Sequence, residues 1–108
     1  MPANLGEFEQ LVLLALLRLG ADGYGVTVQD ELNRQGGRVV SLGTVYKTLL
    51  RMESKGLVSA HLGAPTAERG GRRKKHYAVT LAGKKALARS LSALRKLSLG
   101  LGAALDLT

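Results

Sequence analysis

The chain predicts a mainly α fold with a small β-hairpin, and three features of its 108 residues carry that expectation. Apolar residues recur at spacings of three and four along four stretches. The period drops to two only in two short stretches after Gly56, and glycines or good capping residues separate all of these pieces.

The first helix is expected over residues 5 to 19, where Leu5, Phe8, Val12, Ala15, Leu16 and Leu19 share a face and Glu7, Glu9 and Arg18 lie elsewhere. Leu11, Leu13, Leu14 and Leu17 extend the apolar surface nearly all the way round, so this helix should be central and touched from several sides. Gly20 and the following Ala-Asp-Gly end it. Gly23-Tyr24-Gly25 opens a shorter helix to about Arg34, with Tyr24, Val28 and Leu32 one turn apart and Gln29, Asp30, Asn33 and Arg34 outward. Gly36-Gly37 stops it, and Arg38-Val39-Val40 is too short for more than a strand fragment.

Ser41 is a good N-cap for a third helix, because its hydroxyl can accept from the free amides of the first turn. Leu42, Val45, Tyr46, Leu49 and Met52 then mark an apolar face, and Thr44, Lys47, Thr48 and Arg51 a polar, cationic one. Gly56 supplies a left-handed stop. Leu57 to Leu62 and Lys75 to Val79 read as two antiparallel strands joined by a basic loop, a hairpin too small to stand alone and therefore packed on the helices. Thr80 caps a last helix from Leu81 to about Leu99. Leu87, Leu91, Leu94 and Leu97 or Ser98 form a narrow stripe there, surrounded by Lys84, Lys85, Arg89, Arg95 and Lys96. Gly100 and Gly102 weaken any continuation.

Composition narrows the function. The chain has no cysteine, which removes disulfide scaffolds, thiolate catalysis and cysteine-based zinc sites. Its longest apolar run, Leu11 to Leu17, is far short of the roughly 20 residues needed to cross a bilayer. It also lacks the flanks of a signal peptide, so a cytoplasmic protein without membrane contact is expected. The net charge of +8 is localised: seven acidic and six basic residues precede Arg69, whereas ten basic and no acidic residues lie between Arg69 and Lys96. Such a surface gains free energy by displacing the counterions condensed on phosphates, which points to a polyanion.

The order of elements gives that polyanion an identity. Two short helices joined by a glycine-containing turn, the second bearing hydroxyls and cations, match a helix-turn-helix whose second helix enters a major groove of double-stranded DNA. Ser41, Thr44, Lys47, Thr48 and Arg51 are the candidate contacts on that helix. In the hairpin loop, Arg72, Arg73, Lys74 and Lys75 follow two glycines and form a wing suited to the phosphate backbone. The expected architecture is a winged helix-turn-helix over residues 1 to 80, followed by a C-terminal dimerisation helix and frayed tail over residues 81 to 108. The last helix would leave its stripe wet in a monomer, so Leu87, Leu91 and Leu94, with Phe8 and Leu11 from the over-apolar first helix, are expected to bury each other in a homodimer.

Leu5-Gly6-Glu7-Phe8-Glu9, Gly23-Tyr24-Gly25, Leu42-Gly43-Thr44-Val45-Tyr46, Lys55-Gly56-Leu57-Val58, Gly71-Arg72-Arg73-Lys74-Lys75-His76-Tyr77 and Thr80-Leu81-Ala82-Gly83 stand in one order over about residues 5 to 95. In that order and spacing the chain resembles the small members of the PadR-like transcriptional regulators that carry a single C-terminal helix. The resemblance implies a dimeric repressor released by small aromatic or drug-like molecules. It also places Thr44, Tyr46 and Lys47 in the reading helix and Arg72, Arg73 and Lys74 in the wing.

No enzyme or cofactor site is expected. Ser41 is better used as a cap than as a nucleophile, the glycines lack phosphate-loop spacing, and His61 and His76, in opposite strands of the expected hairpin, do not complete a metal site. With Phe8 as the only phenylalanine and no tryptophan, a pocket for a planar effector has to be built from Phe8, leucines and Tyr24. The competing readings are a winged-helix module whose tail docks another protein, and a basic architectural or RNA-binding protein.

Overall fold

The computed structural model describes residues 5–63 and 74–106. Its elements run in the expected order: α1 (Glu7–Leu19), a single 3-10 turn (Gly20–Asp22), α2 (Gly25–Gln35), α3 (Leu42–Ser54), β1 (Val58–Leu62), β2 (Lys75–Val79) and α4 (Leu81–Ser98). The helix ends follow the capping chemistry of the sequence. Ser41 Oγ accepts from the Thr44 amide at 3.1 Å, Thr80 Oγ1 accepts from the Gly83 amide at 3.1 Å, and Gly56, at φ +76°, takes the left-handed turn after α3.

α1 is the hub. Val12, Leu13, Ala15 and Leu16 are buried against Val28 and Leu32 of α2, Val45, Leu49 and Met52 of α3, Val58 and Tyr77 of the hairpin, and Ala86 and Leu87 of α4. The continuous apolar run of α1 is thus explained by neighbours on several sides. Leu17, on the remaining side, is exposed.

The hairpin pairs Val58 with Val79, Ala60 with Tyr77 and His61 with His76 in antiparallel register. Two strands alone would be marginal, and the turn between α1 and α2 supplies a third edge. The Tyr77 amide donates to the Gly23 carbonyl at 2.8 Å, and Tyr24 bridges His76. His76 Nδ1 donates to the Ala21 carbonyl at 2.9 Å, while its ring lies against Tyr24 and His61.

Arg38-Val39-Val40, too short for more than a strand fragment, forms no strand: Gln29 Nε2 donates to the Val40 carbonyl and Asn33 Oδ1 accepts from the Val40 amide, each at 3.0 Å. One local expectation changes: Glu9, placed off the apolar face of α1, is buried at 6% exposure. Among the described residues no helix is long and apolar enough to cross a membrane.

Candidate nucleic-acid interface

The side of α3 that meets the core decides which residues it can offer to a partner. Val45, Thr48, Leu49 and Met52 are the buried ones, so at 3.6 residues per turn the outermost line of the helix runs through Lys47, Leu50 and Ser54. Thr44 and Arg51 flank that line on one side and Tyr46 and Glu53 on the other.

Most residues expected on the reading helix are therefore presented, and one is not. Ser41, Thr44, Lys47 and Arg51 are exposed, and Lys47 makes no ion pair among the described residues. Thr48 is a correction. It is 2% exposed, and its hydroxyl donates to the Thr44 carbonyl at 2.9 Å. α3 is rotated from the expected face, which withdraws Thr48 and brings out Tyr46, at 41% exposure, and Leu50. The Tyr46 ring lies directly over Gly25, where any Cβ would overlap its outer ring atoms. The glycine that opens α2 is thus the seat of a tyrosine on α3.

Arg51 is held from behind. Glu9 Oε2 lies 3.1 Å from Lys55 Nζ and 3.6 Å from Arg51 Nε, while its other oxygen accepts from the Gly6 amide at 3.0 Å at the start of α1. Burial pushes the Glu9 carboxyl up, but the Gly6 amide, Lys55 and Arg51 together outweigh it and hold the group below the ordinary glutamate range. Glu9 is therefore ionised and ties the first turn of α1 to the last turns of α3. Sequence reasoning missed it because its partners are 42 and 46 positions away, although Glu three residues after the first cap was a usable capping signal.

At the stem of the wing, Lys75 Nζ lies 3.4 Å from Glu53 of α3. The Tyr77 side chain first, and Glu53 after it, hold the Lys75 ammonium above the ordinary lysine range. The adjacent Lys74 donates to the Tyr24 hydroxyl at 3.3 Å and sits 4.5 Å from the centre of that ring. The stem is thus anchored to both helices of the helix-turn-helix. Arg72 and Arg73 lie outside the described residues.

The surface expected to pair also divides. Leu87 is corrected: at 3% exposure it belongs to the core of its own domain, because α4 lays its first turns on α1 and β2. Leu91 and Leu94 are exposed, as is Leu97 at 80%, so the bare stripe starts one turn later than expected. Phe8 and Leu11 are half-buried against the core. Beside Leu11, a groove of about 190 Å³ between α1 and α2 is lined by Leu14, Ala15, Arg18, Glu31, Leu32 and Gln35. It contains neither Phe8 nor Tyr24. The Tyr24 ring lies against His76, and Lys74 Nζ sits over it.

The model of the Transcriptional regulator PadR-like family matches residues 13–89. The transcriptional regulator Rv3488 of Mycobacterium tuberculosis (strain ATCC 25618 / H37Rv) is 37% identical over 95 residues, which are 85% of this chain and 84% of that protein. A PadR family transcription regulator from hypervirulent Clostridium difficile R20291 superposes with a TM-score of 0.74 at 25% identity, covering 93% of this chain and 99% of that one. A PadR-like transcriptional regulator from Bacillus cereus strain ATCC 14579 gives 0.73 at 26% identity, over 91% and 90%. These relatives are regulators, not enzymes. The chain has their helical winged architecture over nearly its whole length, and it belongs to the PadR-like family of transcriptional regulators.

Proposed function

We propose that this protein is a homodimeric repressor that binds a palindromic operator. The observation that carries the reading is the joint presentation of Thr44, Lys47 and Arg51 on the exposed part of α3, beside a wing stem that Lys75 ties to the same helix through Glu53. α3 enters the major groove, Lys47 and Tyr46 meet base edges, and the wing with Arg72, Arg73, Lys74 and Lys75 follows the phosphates. Residues 1 to 80 form the DNA-binding domain. Residues 81 to 108 join two copies through Leu91, Leu94 and Leu97 and set the reading heads one helical turn apart, about 34 Å. A small aromatic or drug-like effector acts at the subunit junction near the α1–α2 groove, whose apolar walls and Arg18 suit a planar molecule with an acidic edge.

Selection from random duplexes tests the reading, and an enriched two-fold symmetric sequence is expected. Lys47→Ala should then weaken the selected operator by about 1–3 kcal/mol and leave random DNA nearly untouched, whereas charge removal at Lys74 and Lys75 should weaken both. Equal losses on both DNAs for every variant, or a monomer that gains a partner only from another protein, would overturn it.

A further inference from the structure

α4 carries a second charged surface that neither the reading helix nor the wing uses. Gly83, Ala86 and Leu87 are buried, and Leu94 and Leu97 continue the same side as exposed residues. On the opposite side of the helix all five cations of α4 are exposed in two rows, Lys84 and Arg95 along one and Lys85, Arg89 and Lys96 along the other. The small residues Ala88 and Ser92 lie between the rows, and with Leu91 and Arg95 they line a shallow depression.

These cations differ from most others among the described residues. Arg34, Arg38, Arg51, Lys55 and Lys75 each have a carboxylate within ion-pair distance. The five of α4 have none among the described residues, and no acidic residue occurs in the sequence between Arg69 and Ala104. Lys84 and Lys85 also sit near the positive end of the helix dipole with no acid in the first turn, and Lys85 and Arg89 repel each other one turn apart. A face so charged is stabilised by an anion that spans it. Lys84 to Lys96 covers about 18 Å along the axis, the rise of roughly five nucleotides of one DNA strand.

We propose that the outer face of α4 is a second, sequence-independent site for the phosphate backbone of double-stranded DNA, so that a dimer seated on its operator can hold another duplex. The site rests on the proposed function only for the duplex held by α3. Pairing through Leu91, Leu94 and Leu97 leaves the row of Lys85, Arg89 and Lys96 outward on the other side of the helix, with Lys84 and Arg95 at the margin of the seam.

The experiment uses the full chain bound to one selected operator duplex, to which a labelled random-sequence duplex is added, with sedimentation velocity reading the stoichiometry. Wild type should take the second duplex in dilute salt. With five phosphate contacts its affinity should fall about 500-fold between about 50 and 200 mM salt. The variant K84Q/K85Q/R89Q/R95Q/K96Q alters exposed positions and keeps good helix formers. It should lose the second duplex at least tenfold and retain the operator and its preference over random DNA. The milder K85Q/R89Q, which serves if the full variant folds poorly, should lower the salt slope by about 1.8. The proposal is overturned if wild type takes no second duplex, if the glutamine variants take it equally well, or if they lose operator preference as well. Loss of binding to phosphatidylserine vesicles with no change toward DNA would also overturn it, by assigning the face to a membrane. A wild type without operator preference that still loses one bound duplex with the glutamines would sink the repressor reading and keep this one.

Discussion

Glu9→Gln tests whether the carboxylate behind α3 holds the domain together as an ion. The substitution preserves volume, and the amide oxygen can still accept from the Gly6 N–H, so the first turn of α1 keeps its cap. What disappears is the charged contact to Lys55 at 3.1 Å and to Arg51 at 3.6 Å. A hydrogen bond to a charged group is worth about 1.5–3 kcal/mol. Here the lower part of that range applies, because Lys55 and Arg51 are 37% and 53% exposed and return to water when released. A loss of about 1–2 kcal/mol follows, or about 5–10 °C in Tm for a domain of this size. The acid limb gives the sharper readout. Glu9 titrates lower in the folded chain than in the unfolded one, so its contribution is complete above the ordinary glutamate range and is lost as pH falls through the lowered folded value. Urea melts at a series of pH values should therefore show the gap between wild type and Glu9→Gln closing on acidification. A gap that stays constant or widens toward low pH would refute the ionic account.

Gly83→Ala should cost about 1–3 kcal/mol in a urea melt despite the better helix propensity of alanine, since its methyl would overlap the Leu57 carbonyl, which also accepts from the Thr80 amide. A more stable Gly83→Ala protein would mean that α4 does not pack this closely on the strand entry. Gly25→Ala should lower stability by less than about 1.5 kcal/mol, because the half-exposed Tyr46 ring can swing away, yet change operator affinity measurably in a titration. Unchanged affinity would remove Tyr46 from the interface. Leu94→Lys with Leu97→Lys should leave the fold intact and abolish the concentration dependence of Tm expected for a dimer, with sedimentation equilibrium reporting a monomer. A persistent dimer would place the junction elsewhere.

The elements were legible in the sequence because their signals are local. Ser41 and Thr80 cap within three residues, Gly56 turns the chain where it stands, and period-two alternation marks the two strands, whose register then sets His61 opposite His76. The separation of charge at Arg69 is equally a property of the chain alone. The rotation of α3 was not legible. Leu42, Val45, Tyr46, Leu49, Leu50 and Met52 spread over nearly half of its circumference, an arc of about 160°, so the pattern allows more than one buried side. Packing against α1 and α2 chose the side that buries Thr48 and frees Tyr46 and Leu50. Leu87 and Leu94, one heptad apart on one stripe, likewise differ only in what stands opposite them: Leu87 lies in the core, and Leu94 faces solvent. Local signals in the chain alone set the order and type of the helices and strands, their ends to within about two residues, and where the positive charge lies. Tertiary packing decided the rotation of each helix and the pairing of Glu9 with Lys55 and Arg51, because both depend on surfaces that distant segments bring together.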